Sequence, residues 1–318
     1  MKCRCTFFDF GAMSTAVSVL DAKAANEGLA ALCVKKSQMP LGKTVVLGLM
    51  AGAYIGFGCQ LSTLIATDCP TYGPCKYLSA IGFSLGLMLI FFAGGELFTG
   101  NCMLSMAALA GRISVPSLLR NWGLVWTANF VGAIMMQAVI FGGAANGTGG
   151  DTLSPVGDKA CAVYVAKADA LPHRVLLNGI SANMLVCLAV IMNAGSKTPS
   201  GRFLSALFPV AGFVAMGFEH SIANMNFFAM GFMLRCESLS FGGACVNLAM
   251  STLGNIIGAG VLSAAYWYSF LRDDDSAPAP AAAPITTDKA GSEPFDEKPS
   301  AAVLDAEISS CSVTVSPE

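Results

Sequence analysis

Charge is what this sequence lacks. Only 12% of its 318 residues are Asp, Glu, Lys or Arg, against 54% hydrophobic residues and a mean hydropathy of +0.63. That is too little charge to clothe a soluble globule of this length, so a lipid-facing surface is expected. A net charge of −2 carries no basic excess, which argues against a nucleic-acid partner. Histidine is nearly absent, represented by His173 and His220 alone. No HExxH pair can form, and the twelve Cys lack metal-site spacing, so neither a metal nor a cofactor is expected. A cleavable signal is also missing: the first long apolar run starts near Thr44, after Lys35, Lys36 and Lys43.

What is present is a series of long apolar runs. Residues 44–66, 121–145, 175–196 and 238–271 are each long enough to cross a hydrocarbon core of about 30 Å. Two further regions, 77–111 and 203–234, are too long for one crossing and too short for two. Glu96 interrupts the first and Glu219-His220 the second. An ionisable group at bilayer depth costs about 2.5–3.5 kcal/mol unless it faces protein or water, so each region reads as one broken helix. The expectation is an all-α membrane protein of six transmembrane helices, with spans two and five broken.

Lys35, Lys36, Lys43, Arg112, Arg120, Lys197, Arg202 and Arg272 fall on one side of this arrangement, and fewer basic residues on the other. The positive-inside pattern puts both termini in the cytoplasm, with the plasma membrane as the expected location. Residues 1–43 then form a cytoplasmic N-terminal segment, 44–271 the membrane domain, and 272–318 a polar, Ala/Pro-rich tail expected to be disordered. Asn146-Gly147-Thr148, a glycosylation sequon, falls outside. Cys69 and Cys75 flank a short loop on the same side and are either bridged or two unpaired thiols.

The chain also repeats. Glu-x4-Asn occurs at Glu96 to Asn101 and at Glu219 to Asn224, and Asn-x-x-Gly-Ala starts at Asn129 and at Asn255. Lys36 precedes Gly48 by the interval at which Lys167 precedes Gly179. Three crossings per half is an odd number, so the halves are expected to be inverted, with a solute site between the breaks. Gly48, Gly52, Gly56, Gly254 and Gly258 recur at four-residue spacing, which suits close helix packing.

A half-helix beginning at each break aims its N–H groups and positive dipole end at the protein centre, where an anion or polar solute can be stabilised. His220 is the sharpest candidate, because an imidazole at membrane depth can load or donate a proton. Thr99 sits in the other break and can bond a carboxylate or His220. Glu96, Glu219, Asn101 and Asn224 read as braces for the broken backbone, since a carboxylate in the passage would repel an anion. Asn183 either braces or binds. Lys167 and Lys36 stand at the two entrances, as anion attractors or as interfacial lysines.

Leu97-Phe98-Thr99-Gly100-Asn101, the span-four run from Asn183 to Val190 and, above all, Gly217-Phe218-Glu219-His220-Ser221-Ile222-Ala223-Asn224-Met225 resemble the formate/nitrite transporter family. The resemblance implies an aquaporin-like protomer with its own pore, a homopentamer, and substrates such as formate, nitrite, hydrosulfide, acetate and lactate. It implies His220 as the central histidine, Thr99 as the first-loop threonine, Lys167 as the vestibule lysine and Asn183 as the span-four asparagine. Apolar constrictions would fall on Phe83, Leu87, Leu97, Phe98, Val186 and Phe213.

The mechanism expected is neutralisation followed by passage: desolvation raises the pKa of an anion leaving water, and the neutral acid crosses with its proton. Three rivals compete. A neutral-solute channel of aquaporin type would use Asn-Pro-Ala loops, but no Pro follows Asn101 or Asn224. An intramembrane enzyme would use Glu219 and His220 as acid and base, without an evident nucleophile. A non-transporting scaffold would carry buried polar groups to no purpose.

Overall fold

The computed structural model describes residues 19–143, 145–146 and 153–272. Its helices are α1 (Ala22–Ser37), α2 (Leu41–Ala66), α3 (Tyr72–Phe83), α4 (Leu85–Ala93), α5 (Phe98–Asn101), α6 (Leu104–Leu109), α7 (Val115–Gly142), α8 (Pro155–Ala168), α9 (Pro172–Gly195), α10 (Pro199–Ala215), α11 (Ser221–Leu234) and α12 (Phe241–Tyr266), the last continuing into a π turn, Trp267–Leu271. The only β pairing among the described residues is one bridge between Val19 and Ser196.

Helix starts follow from capping chemistry. Side chains of Asp21, Ser114, Ser154, Thr198 and Ser240 accept hydrogen bonds from backbone N–H groups at the heads of α1, α7, α8, α10 and α12. Proline stands in the first turn of α7, α8, α9 and α10, where its missing N–H costs nothing. Among the described residues five stretches are long and apolar enough to cross a membrane: Leu41–Ala66, Tyr72–Ala93, Val115–Gly142, Pro172–Gly195 and Phe241–Leu271.

The first broken region divides into a leading and a trailing part at Gly94–Leu97. Its leading part, α3 with α4, runs 22 residues with a kink at Ser84 and is of crossing length by itself. Gly94, whose φ is 88°, ends α4. The chain then returns through Gly95–Glu96–Leu97 to α5 and α6. Gly217 (φ 76°) ends α10 in the same way and leads through Phe218–Glu219–His220 into α11. Both turns occupy the left-handed region, which residues with a Cβ rarely adopt.

α2 lies along α7 and α9 along α12. A Cβ on Gly52 would overlap the Asn129 carbonyl, and one on Gly258 the Ile180 carbonyl, so these small residues set the interhelical distance. Two helices lie where the sequence showed no long apolar run. α1 packs against α9 and α6, so the N-terminal segment from Ala22 onward belongs to the helical body, and α8 packs against α11 and α12 where a loop was expected. Cys69–Cys75 is bridged, and a second disulfide, unforeseen, joins Cys161 on α8 to Cys236 after α11.

Asn146 is only 1% exposed and its Oδ1 accepts from Gln60 Nε2 at 2.7 Å, so this side chain is not available to a glycosyl donor in the folded chain. The expected tail beyond Arg272 lies outside the described residues.

Candidate functional site

Each break is closed by one asparagine that uses its whole amide. Asn129 Oδ1 accepts from Phe98 N at 2.9 Å, while its Nδ2 donates to Glu96 O and Gly48 O, both at 2.8 Å. Asn255 Oδ1 accepts from Ser221 N at 2.8 Å, and its Nδ2 donates to Glu219 O at 2.9 Å and Gly179 O at 2.8 Å. Backbone freed by the breaks is thereby paired, as a low-dielectric interior requires. Sequence reading used these two residues only as markers of the repeat.

The carboxylates are held by a second duplicated set. Lys36 Nζ donates to Glu96 Oε1 at 2.8 Å and to Asn101 Oδ1 at 2.9 Å; Asn101 Nδ2 donates to Glu96 Oε2 at 2.7 Å and to Asn121 Oδ1 at 3.0 Å. In the other half Lys167 Nζ donates to Glu219 Oε2 at 2.8 Å, and Asn224 Nδ2 to Glu219 Oε2 and to Asn247 Oδ1, each at 2.7 Å. Asn121 and Asn247 donate back to the carbonyls of Lys36 and Lys167. Both lysines are therefore ion-paired, which makes them ties between α1 or α8 and the break rather than free charges at an entrance. The Glu219 carboxylate, taken by Lys167 and Asn224, is not poised as the acid or base partner of His220.

His220 caps α11: its Nδ1 accepts from Ala223 N at 3.1 Å. Its Nε2 lies 2.9 Å from Thr99 Oγ1. An Nδ1 that accepts leaves the proton of the neutral ring on Nε2, which donates to the Thr99 hydroxyl. Asn183 Nδ2 donates to Thr99 O at 3.2 Å and to Asn255 O at 2.6 Å, so it links α5 to α12. Its Oδ1 is buried without a partner.

The imidazole faces a cavity of about 10 Å³, room for roughly one water, whose wall is otherwise Ile55, Phe83, Leu87, Leu97, Val186, Val210 and Phe213. Phe213 stacks on the His220 ring with centroids 5.7 Å apart, and Phe83 meets Phe213 edge-on at 5.9 Å. Thr99 and Asn183 stand behind the imidazole and do not line this space. Phe98 is not part of it either: its ring packs edge-on against Trp122 at 6.4 Å, on the side of α7. Ile55 and Val210 join the wall without having been singled out in the sequence, where nothing distinguishes them from lipid-facing residues.

Leu87 and Leu97 also wall a larger chamber of about 360 Å³ that reaches Lys36, Glu96 and Cys33. Burial pushes the Cys33 thiol up to about 12, so it stays protonated and donates to Met103 O at 3.6 Å. A chamber walled mainly by apolar side chains, with Lys36, Glu96 and Asn101 among its polar ones, thus adjoins the small apolar space on which the imidazole opens.

The description of a formate/nitrite transporter matches residues 23–269 of the chain. The chain belongs to the formate/nitrite transporter family. A probable formate transporter of Methanothermobacter thermautotrophicus is 37% identical over 265 residues, covering 76% of this chain and 94% of its own. Formate channel FocA of Escherichia coli K12 is 33% identical over 266 residues, covering 76% and 90%. A solved structure described as a pentameric formate channel with formate bound superposes with a TM-score of 0.64 at 32% identity, covering 73% of this chain and 98% of that one. Formate/nitrite transporters move solute and are not an enzyme family, in keeping with a site that pairs its one carboxylate neighbour away from the imidazole.

Proposed function

We propose that this chain conducts small monovalent anions, among them formate, nitrite, acetate and lactate, together with protons, through a pore in each protomer of a homopentamer. The observation that carries the reading is the Thr99–His220 hydrogen bond of 2.9 Å at the edge of an apolar space one water wide. A bare anion is too costly to desolvate there, whereas its neutral acid can pass.

The proton, in this reading, arrives with the substrate. Loading a second proton on His220 would require Nδ1 to give up the Ala223 N–H that it accepts, and giving away the Nε2 proton would leave an imidazolate. The ring therefore serves best as a fixed neutral group whose one N–H is held by Thr99, and the substrate is protonated from water before it enters the apolar space. Phe83, Leu87, Leu97, Val186 and Phe213 exclude water and ions on either side.

The same reading takes the chain as six spans in two inverted halves, with both termini in the cytoplasm of a plasma-membrane protein. Two features support this orientation. Lysine and arginine are concentrated on the side of Lys36. Both disulfides fall on the other side, at the end of α2 and between α8 and α11, as an oxidising exterior requires.

The test is uptake of labelled formate into proteoliposomes from pH 5 to 8 at fixed total formate, with an internal pH dye. Uptake should fall by up to about tenfold per pH unit, as the fraction of neutral acid does, and should acidify the lumen. An anion current that ignores pH would overturn the proton coupling. Rapid passage of glycerol without formate would favour the neutral-solute channel instead.

A further inference from the structure

The two ion pairs leave open which charge draws anions toward the Lys167 side. Lys36 and Lys167 are each within 2.8 Å of a glutamate, so their fields are largely cancelled at a distance. Lys76, one turn into α3, is different. Among the described residues its ammonium has no carboxylate within 4.0 Å. Its polar neighbour is Tyr72, whose hydroxyl lies at 3.4 Å and whose ring centroid lies at 5.4 Å. A methyl group built at Gly217 would sit 3.5 Å from Lys76 Nζ and touch nothing else within 4 Å. The ammonium therefore stands over the turn that leads through Glu219 into His220.

Gly217 is the counterpart of Gly94, and Gly94 and Gly95 line the chamber on the Lys36 side. A methyl at Gly94 would meet no atom within 4 Å, so no cation overhangs that turn. The two turns thus share a frame and differ in the cation that overhangs Gly217 alone.

We propose that Lys76 is the anion-recruiting site of the Lys167-side mouth, holding a carboxylate or nitrite transiently before it is neutralised; this rests on the reading of the chain as an anion conductor. An unpaired cation beside a low-dielectric opening raises the local anion concentration, and added salt screens it over about 8 Å at physiological ionic strength. The site acts on encounter and leaves the later passage alone.

The experiment measures initial formate uptake for wild type, K76Q, K76E and K76R in proteoliposomes at about 20 mM and about 300 mM inert salt. K76Q should raise the KM for formate about threefold at low salt with an unchanged maximal rate, and K76E should raise it further. K76R should match wild type, and the differences should vanish at high salt. A K76Q variant with the wild-type KM at low salt overturns the site. So does K76R failing alongside K76Q, or a fall in maximal rate without a change in KM, since either marks a packing role. A wild type that takes up no formate overturns the functional reading and this site with it.

Discussion

Leu97 and His220 occupy equivalent positions in the two halves, each directly after the glutamate of its break. Thr99 and Ile222 are equivalent in the same way. Around them four braces are duplicated: Asn129 with Asn255, Glu96 with Glu219, Asn101 with Asn224, Asn121 with Asn247. The duplicated residues hold backbone and carboxylates, whereas the unmatched ones meet in the Thr99–His220 bond. Repetition built the scaffold, and departure from it supplied the one titratable group on the wall of the central cavity.

The largest effect should come from erasing that departure. His220→Leu makes the second break a copy of the first and removes the sole polar group from the wall of the central cavity. The Thr99 hydroxyl and the Ala223 N–H would lose their partner at a cost of about 1–3 kcal/mol, so formate flux should fall about 10- to 100-fold. Adding Leu97→His to His220→Leu should restore nothing, because the new ring would face Ile222 rather than a hydroxyl. Near-normal flux in the single variant, measured in proteoliposomes, would remove the imidazole from the mechanism.

The next effect tests the equality of the two frames. Asn129→Leu strands Phe98 N–H and the Glu96 and Gly48 carbonyls; Asn255→Leu strands Ser221 N–H and the Glu219 and Gly179 carbonyls. Each change should cost about 3 kcal/mol, and the two losses should agree within about 1 kcal/mol. Denaturation in detergent, followed by fluorescence, reads both. A loss confined to one variant would mean that the halves are braced differently.

Much of this was legible in the sequence because repeats and apolar runs are local properties. Glu96, Asn101, Glu219 and Asn224 were recognisable as braces from their spacing and from the cost of a carboxylate at membrane depth. The lysine partners were not, because they lie 60 and 52 residues from their glutamates and no periodicity reports such a contact. α1 and α8 escaped notice because spans were sought as long apolar runs; the Asp21 cap and the Ser154-Pro155 pair were the available signals. Phe98 was misplaced for a related reason. Beside Leu97, in a short helix, one side chain enters the passage and the next turns away toward Trp122.

The smallest effect distinguishes the two ion pairs. Lys36 donates to two acceptors, Glu96 and Asn101, while Lys167 reaches Glu219 alone and rests on the Phe227 ring, 5.6 Å from its centroid. The Asn224 Oδ1 that would be its second acceptor is left without a partner. Removing either lysine strands a nearly buried carboxylate, but the side chains of Lys36 and Lys167 keep 20% and 17% of their exposure, so water softens the penalty. Lys36→Ala should therefore cost about 2 kcal/mol of stability and Lys167→Ala about 1 kcal/mol. Neutralising the stranded partner separates charge from packing: Glu96→Gln added to Lys36→Ala should recover most of the loss if the stranded charge is its cause. No recovery would assign the loss to the contact of α1 with the break, and the tie would then be one of shape.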